Sequence, residues 1–284
     1  YDRLHEVGAM AAESHGAQKQ AEGIRMLIGY IRAQGKLRGN VFLTFGEPIS
    51  VKSVVEDNPD KRVAVQKIAI TVAHAINNTT PVTPAALVTM ALLGIEDRAL
   101  NVHEMWAIIS PLARYINKRG LPTAGGCDIS EVDVVRSAVI AQVNAGVVKR
   151  FDEGPEPVFY LAQDKHLVAA FFRNSAIHYF VMRAIGELVV LPHRDQSAES
   201  TPESMWQSAL QLRDLLKFEF FFGDKNDFGS RLEDEFSLID PDWRTNLADP
   251  EYATRQLQSQ DLHLAHRVLQ PILEAYQVVA DQLM

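Results

Sequence analysis

A chain of 284 residues, 47% hydrophobic and 23% charged, carries enough apolar side chains for a substantial core, which excludes the disordered and fibrous classes. Its formal net charge of −8 disfavours a nucleic-acid partner on bulk electrostatics, and attraction to anionic lipid would need a local basic patch. The single cysteine, Cys127, excludes an internal disulfide and fits a reducing compartment.

The chain opens on Tyr1-Asp2-Arg3-Leu4-His5-Glu6, with no initiator Met, and is expected to enter in mid-domain. Residues 9–34 read as helical, with Gly29 and Gly35 loosening or ending the turns. Val41-Phe42-Leu43-Thr44-Phe45 has the composition of a short buried strand ending at Gly46-Glu47-Pro48, whose three residues read as structural. Val63 to Asn78 is a continuous helical pattern closed by the breaker cluster Asn77-Asn78-Thr79-Thr80-Pro81. A domain boundary is placed near residues 50–62, giving units of 1–60 and 61–284.

Beyond the boundary the pattern predicts helices at Pro84–Leu93, at Val102–Lys118 after an Asn101 cap, and at Glu131–Ala145 after a Ser130 cap. Two extended runs follow, Val147–Phe151 and Val158–Leu161, separated by the turn-rich Asp152-Glu153-Gly154-Pro155-Glu156-Pro157. Three helices and a hairpin, packed as one unit, is the order of a winged helix. A DNA reader of that kind needs Lys or Arg on its third helix, but this one offers Glu131, Asp133 and only Arg136, and the hairpin tip is acidic. Repulsion then argues against nucleic acid and leaves a scaffold or protein-contact role.

Leu167 to Leu191 is the most apolar stretch, but Arg173, Asn174, His178, Arg183 and Glu187 interrupt it, so it reads as a buried or interfacial helix and not a membrane span. Polar side chains on such a helix must be paired or exposed. Arg173, Asn174 and His178 are therefore either internal struts or a site in which Arg173 meets a phosphate or lipid headgroup. The run Phe218-Glu219-Phe220-Phe221-Phe222, at helical spacing, would set Leu215, Phe218 and Phe222 on one face, as core or as a surface that dips into lipid. His263 and His266 near Asp261 have metal-pair spacing on the last helix without an evident third ligand, so no metal site is assigned. Cys127, in the Gly125-Gly126-Cys127-Asp128 loop, has no base beside it in sequence to make it a nucleophile. G-x-S-x-G, P-loop and G-x-G-x-x-G patterns are absent.

Four blocks in order resemble the glycerol-3-phosphate acyltransferases. Tyr1-Asp2-Arg3 resembles the end of the fourth acyltransferase motif, as lining of the substrate cavity or as a structural strand exit, and Phe45-Gly46-Glu47-Pro48 resembles the family's Phe-Gly-Glu-Pro strand exit. Glu6-Val7-Gly8 and Lys36 to Glu47 resemble the bacterial membrane-bound form. Val72-Ala73-His74-Ala75-Ile76-Asn77-Asn78 is similar to its Ile-Asn-Asn helix, and Phe172-Arg173-Asn174-Ser175-Ala176-Ile177-His178 to its Tyr-Arg-Asn-Asn-x-x-His segment. The likeness covers most of residues 1–190 and fades after Arg194.

The resemblance together with the helix and hairpin pattern gives an expected α+β, mainly α chain: the tail of an αβ acyltransferase domain, then a helical C-terminal domain with the winged-helix-like unit. It implies transfer of a fatty acyl group from acyl-CoA or acyl carrier protein to the sn-1 hydroxyl of glycerol 3-phosphate, giving lysophosphatidate. It also implies a peripheral place on the cytoplasmic face of the cell membrane, with no cofactor. Dihydroxyacetone phosphate as acceptor, or a non-catalytic helical interaction module, are the alternatives. In this family a His followed five positions later by an Asp forms the catalytic base. None of the nine histidines here has Asp at that spacing, and the Phe-Pro-Glu-Gly block is missing, so the resemblance places the chemistry upstream. Tyr1, Asp2, Arg3 and Arg173 are the expected substrate-binding residues.

Overall fold

The computed structural model describes residues 43–95, 98–126, 128–190, 202–247 and 263–283, with isolated positions at 11, 13, 14, 16, 249, 251, 252, 255 and 256. The chain divides into two compact units, Tyr1–Ala176 and Ile177–Met284. The division expected at residue 60 sets apart a stretch lying mostly outside the described residues, as does the helix expected over 9–34. Both units are mainly helical, and one small sheet completes the α+β character.

In the first unit, α1 (Val51–Asp57) and α2 (Lys61–Thr79) form a helical hairpin. Ser50 and Asp60 cap them by accepting hydrogen bonds from Ser53 N and Arg62 N, at 3.2 and 2.8 Å. The buried strand expected at 41–45 is corrected over its described part. Leu43, Thr44 and Phe45 are exposed and in no sheet, because a strand is stabilised only by a neighbouring strand and the described residues supply none there.

The core of this unit is α3 (Pro84–Leu93). Its sequence is apolar all round, which only a helix covered on every side can tolerate, and Ala86 to Leu92 are all buried. Thr83 caps it, and the one polar member of the buried run, Thr89, returns its hydroxyl to the carbonyls of Ala85 and Ala86, 3.0 Å each. Around α3 pack α4 (Val102–Arg119), α5 (Val132–Asn144), the strand β2 (Val158–Leu161) and α6 (His166–Asn174).

Helix α4 begins at a reciprocal capping box. Asn101 Oδ1 accepts from Glu104 N at 2.8 Å and Glu104 Oε2 accepts from Asn101 N at 3.0 Å. It ends at Gly120, whose φ of 61° is the left-handed conformation that a Cβ disfavours. Its Met105, Ile109, Leu112 and Ile116 recur at helical spacing and are all buried. The cap expected at Ser130 is corrected. The N-cap of α5 is Glu131, which makes no side-chain cap bond, while Ser130 donates its N–H and hydroxyl to Asp128 Oδ1 at 3.0 and 2.5 Å.

The expected hairpin is present, with β1 (Val148–Phe151) antiparallel to β2 and Val148 opposite Leu161. Leu100 adds one rung, exchanging backbone bonds of 2.9 and 2.8 Å with Phe159. Asn101 Nδ2 donates to Glu156 at 2.7 Å, tying the start of α4 to the hairpin turn. Three helices and a hairpin thus pack together as the pattern predicts, and the likeness to a winged helix goes no further than this order and the Leu100 rung.

The single helix expected over 167–191 is divided. At its middle Ser175 N and Ala176 N bond three residues back, to Phe172 and Arg173 carbonyls at 3.2 and 3.0 Å, and Ser175 Oγ takes the Phe172 carbonyl at 2.7 Å. This tightening ends α6, a 3₁₀ turn spans Ile177–Tyr179, and α7 (Val181–Val190) starts anew in the second unit.

In the second unit, α7 is the buried centre, packed by α8 (Pro202–Leu216), α9 (Lys225–Ile239) and α11 (Ala265–Val268). The short α10 (Trp243–Asn246) follows α9, and α12 (Gln270–Leu283) ends the chain with no buried residue. Phe218 to Phe222 is not helical, because α8 stops at Leu216. Phe220 is buried and Phe222 meets Phe228 edge-on at 5.5 Å, whereas Phe218 is 84% exposed. Leu215 is exposed too, so the single apolar face expected for Leu215, Phe218 and Phe222 does not form. A Cβ at Gly223 would come within 1.9 Å of Asp227 Oδ2, so a side chain there would displace Asp227.

Candidate functional site

Of the sequence-predicted binding residues, Tyr1, Asp2 and Arg3 lie outside the described residues. Arg173 is at the C-terminal end of α6 and only 8% exposed. Its Nε and Nη2 both donate to Asn174 Oδ1, at 3.1 and 2.9 Å, so these two are brought together as the sequence suggests. Burial lowers the guanidinium pKa, but arginine retains its charge over any ordinary pH. Asn174 is a neutral partner that accepts two of five N–H donors and supplies no counter-charge. A buried guanidinium of this kind is chemically suited to a phosphate or carboxylate oxygen. His178 falls in the second unit, its ring 4.0 Å from that of Tyr179, whose hydroxyl burial pushes up to about 12.

A second polar concavity of the first unit, of about 220 Å³, is lined by Leu92, Ile95, Arg98, Ala99, Tyr160, Leu161 and His166. Arg98 is already paired with Glu104, and His166 Nδ1 lies 3.1 Å from the Gln163 carbonyl. Its volume is below the roughly 300–1,000 Å³ of small-molecule sites, which argues against a long acyl chain. Sequence reasoning passed over it because its walls come from separate helices and a strand.

The second unit hides a charged centre that periodicity does not reveal. Arg183 and Glu187, i and i+4 on α7, would ordinarily be read as a solvated surface pair, yet both are buried, with Nε and Oε1 3.5 Å apart. Glu187 Oε2 accepts from the backbone N–H of Leu264 and Ala265 at 2.7 and 2.8 Å, capping the start of α11. Burial raises its pKa, while those N–H groups and then the Arg183 charge act in the opposite direction. Beside it, Met205, Phe236, Trp243 and Tyr252 enclose about 20 Å³, space for roughly one water. Tyr252 donates its hydroxyl to Asp240 at 2.8 Å. The arrangement is structural, with no room for a substrate.

The two histidines expected together on the last helix are placed differently. His266 is on the four-residue α11, His263 precedes it, and the last helix is α12. Among the described residues no group of three or more His, Cys, Asp or Glu is placed to hold a metal ion. Cys127 lies outside the described residues. No helix among them is long and apolar enough to cross a membrane.

Among the described residues of the first unit, Arg173 is a buried cation whose described partner, Asn174, carries no charge. The comparisons agree with the family that the sequence resembles. Acyltransferase plsB1 of Mycobacterium tuberculosis, and its counterpart in Mycobacterium bovis, are 42% identical over 293 residues, covering 100% of this chain and 46% of each relative. The glycerol-3-phosphate acyltransferase of Shewanella amazonensis is 22% identical over 239 residues, 78% of this chain and 29% of that protein. The chain thus spans about half the length, or less, of the curated relatives it matches. The family described as the glycerol-3-phosphate acyltransferase C-terminal region matches residues 10–284, and with the identity to the mycobacterial proteins this establishes that the chain belongs to that family.

Proposed function

We propose that the chain is the C-terminal region of a longer glycerol-3-phosphate 1-O-acyltransferase. In this reading the sn-1 hydroxyl oxygen attacks the thioester carbonyl of acyl-CoA or acyl-acyl carrier protein. The C–S bond breaks, the thiolate leaves and takes up the proton, and lysophosphatidate is formed for phospholipid synthesis. The general base lies upstream of this chain and outside it. The enzyme works peripherally at the cytoplasmic face of the cell membrane, without nucleic acid and without a cofactor. The observation that carries this reading is the family match over residues 10–284. Full-length protein supplied with palmitoyl-CoA and glycerol 3-phosphate is expected to release coenzyme A and form a product acylated at the sn-1 position. Acylation of dihydroxyacetone phosphate in preference would contradict the acceptor assignment.

Tyr1, Asp2 and Arg3 are assigned to the substrate cavity, and Arg173 to the substrate's phosphate. A charge-assisted hydrogen bond contributes about 1.5–3 kcal/mol, which corresponds to a rise of roughly ten- to a hundredfold in KM for glycerol 3-phosphate when it is lost. Arg173→Lys in the full-length enzyme, which keeps the charge but not the fork, is expected to show such a rise with little change in Tm. An unchanged KM with a lowered Tm would instead make Arg173 an internal strut for Asn174.

A further inference from the structure

Nine of the large apolar side chains that the described residues leave exposed lie between Leu43 and Ile76: Leu43, Phe45, Val51, Val55, Val63, Val65, Ile70, Val72 and Ile76. On α2 the spacing is informative. Val65, Ala69, Val72 and Ile76 follow one another at i, i+4, i+7 and i+11, the repeat that lays a continuous stripe along one side of a helix. Their large members are 65%, 39% and 58% exposed. The arc about a quarter-turn away, through Ala64, Ile68 and Ala75, is the less exposed one, and Ala64 is the single buried residue of the helix, while Val63 and Ile70 are exposed on the far side. At the far end of the stripe Gly46 approaches Thr79, where a Cβ would stand 3.3 Å from its Cγ2. This brings the backbone that follows the exposed Phe45 to the same end of α2. A 19-residue helix with no large side chain buried is not stabilised by what it touches here.

We propose that this stripe is the seat of the upstream half of the full-length protein, docked onto α2 by an apolar helix or sheet face. The matched family is a C-terminal region, and the mycobacterial relatives carry more than half of their length outside the matched segment. A domain tethered to residue 43 by a few tens of residues meets the stripe at an effective concentration that a second copy or a free partner does not reach. The regular 4-3-4 spacing suits packing against a folded neighbour, and the polar Arg62 and Gln66 flank the stripe on one side. The α1–α2 hairpin then acts as the joint between the catalytic part of the enzyme and the helical units described above. The proposal rests on the reading of the chain as part of a longer acyltransferase, but its test does not use activity.

A photoreactive benzoylphenylalanine placed in turn at Val65, Val72 and Ile76 of the full-length protein, irradiated and mapped by peptide mass spectrometry, is expected to join α2 to peptides upstream of Tyr1. Adducts to residues 1–42 alone, to a second copy at doubled mass, to lipid, or no adducts at all would overturn it. Hydrogen exchange of the unsubstituted full-length protein is the second readout. Residues 65–79 are expected to be protected, and Val72→Glu to remove that protection while leaving residues 84–93 unchanged. Fast exchange of α2 in the unsubstituted protein would equally overturn the proposal. Upstream adducts in a protein that acylates nothing would leave the joint standing and refute the assigned reaction.

Discussion

Replacing Phe228 by alanine is expected to lower the stability of the second unit by about 3–5 kcal/mol, a fall in Tm on the order of 10–20 °C. Phe228 is fully buried on α9, stands edge-on to Phe222 at 5.5 Å, and has the Arg213 guanidinium 6.0 Å above its ring. Truncation leaves a cavity among groups already fixed from two sides, because Arg213 Nη2 also donates to the Gly223 carbonyl at 2.7 Å and cannot collapse inward without breaking that bond. Phe218→Ala, ten residues away and 84% exposed, is expected to stay within about 0.5 kcal/mol of the parent. Calorimetric unfolding of both variants of the full-length protein checks the contrast. Equal losses would mean that the aromatic run is packed differently.

Removal of Glu187 is the other large effect. Glu187→Ala deprives the Leu264 and Ala265 N–H groups of their acceptor and leaves Arg183 without the carboxylate beside it. Each buried donor left unpaired costs about 1–3 kcal/mol, so a total of about 2–5 kcal/mol is expected, read as a lower unfolding midpoint. Because burial holds the folded pKa above its ordinary 4.5, the proton-linked stability is fully present below that value and is lost as pH rises through the raised one. Thermal melts from pH 4.5 to 8 are therefore expected to show a decline that E187Q flattens. The exposed Asp128 and Asp224 and the half-buried Asp240, whose hydrogen bonds lower their pKa values, act in the other window, losing stability only in stronger acid. A slope unchanged in E187Q would show that the carboxyl is not the titrating group.

The local signals that were legible in the sequence are those with local causes. The apolar run of α3, the Asn101 cap and the Asp-Glu-Gly-Pro turn each act within a few residues, and their elements stand where the pattern predicts. What failed depends on partners distant in sequence. Residues 43–45 have the composition of a strand but no strand to pair with among the described residues. The Leu167–Leu191 pattern carries no mark of the Ser175 back-bond and the three-residue bonds that divide it. Arg183 and Glu187 are spaced as a surface pair and are buried because three helices converge on α7. For the site, Arg173 was visible as a charge interrupting an apolar stretch, and its pairing with Asn174 is adjacent in sequence. The concavity at Arg98 and His166 was not visible, since no local pattern joins those positions.

The central claim is that this region belongs to an acyltransferase whose general base lies outside it. Each of the nine histidines replaced singly by glutamine in the full-length enzyme, with kcat for coenzyme A release measured on glycerol 3-phosphate and palmitoyl-CoA, tests that claim most directly. Every variant that keeps the parent's Tm is expected to retain kcat within roughly tenfold, because removal of a general base costs about 10²–10⁴-fold and the proposed base lies upstream of these imidazoles. A loss of that size in one such variant would place the catalytic base within residues 1–284 and contradict the account.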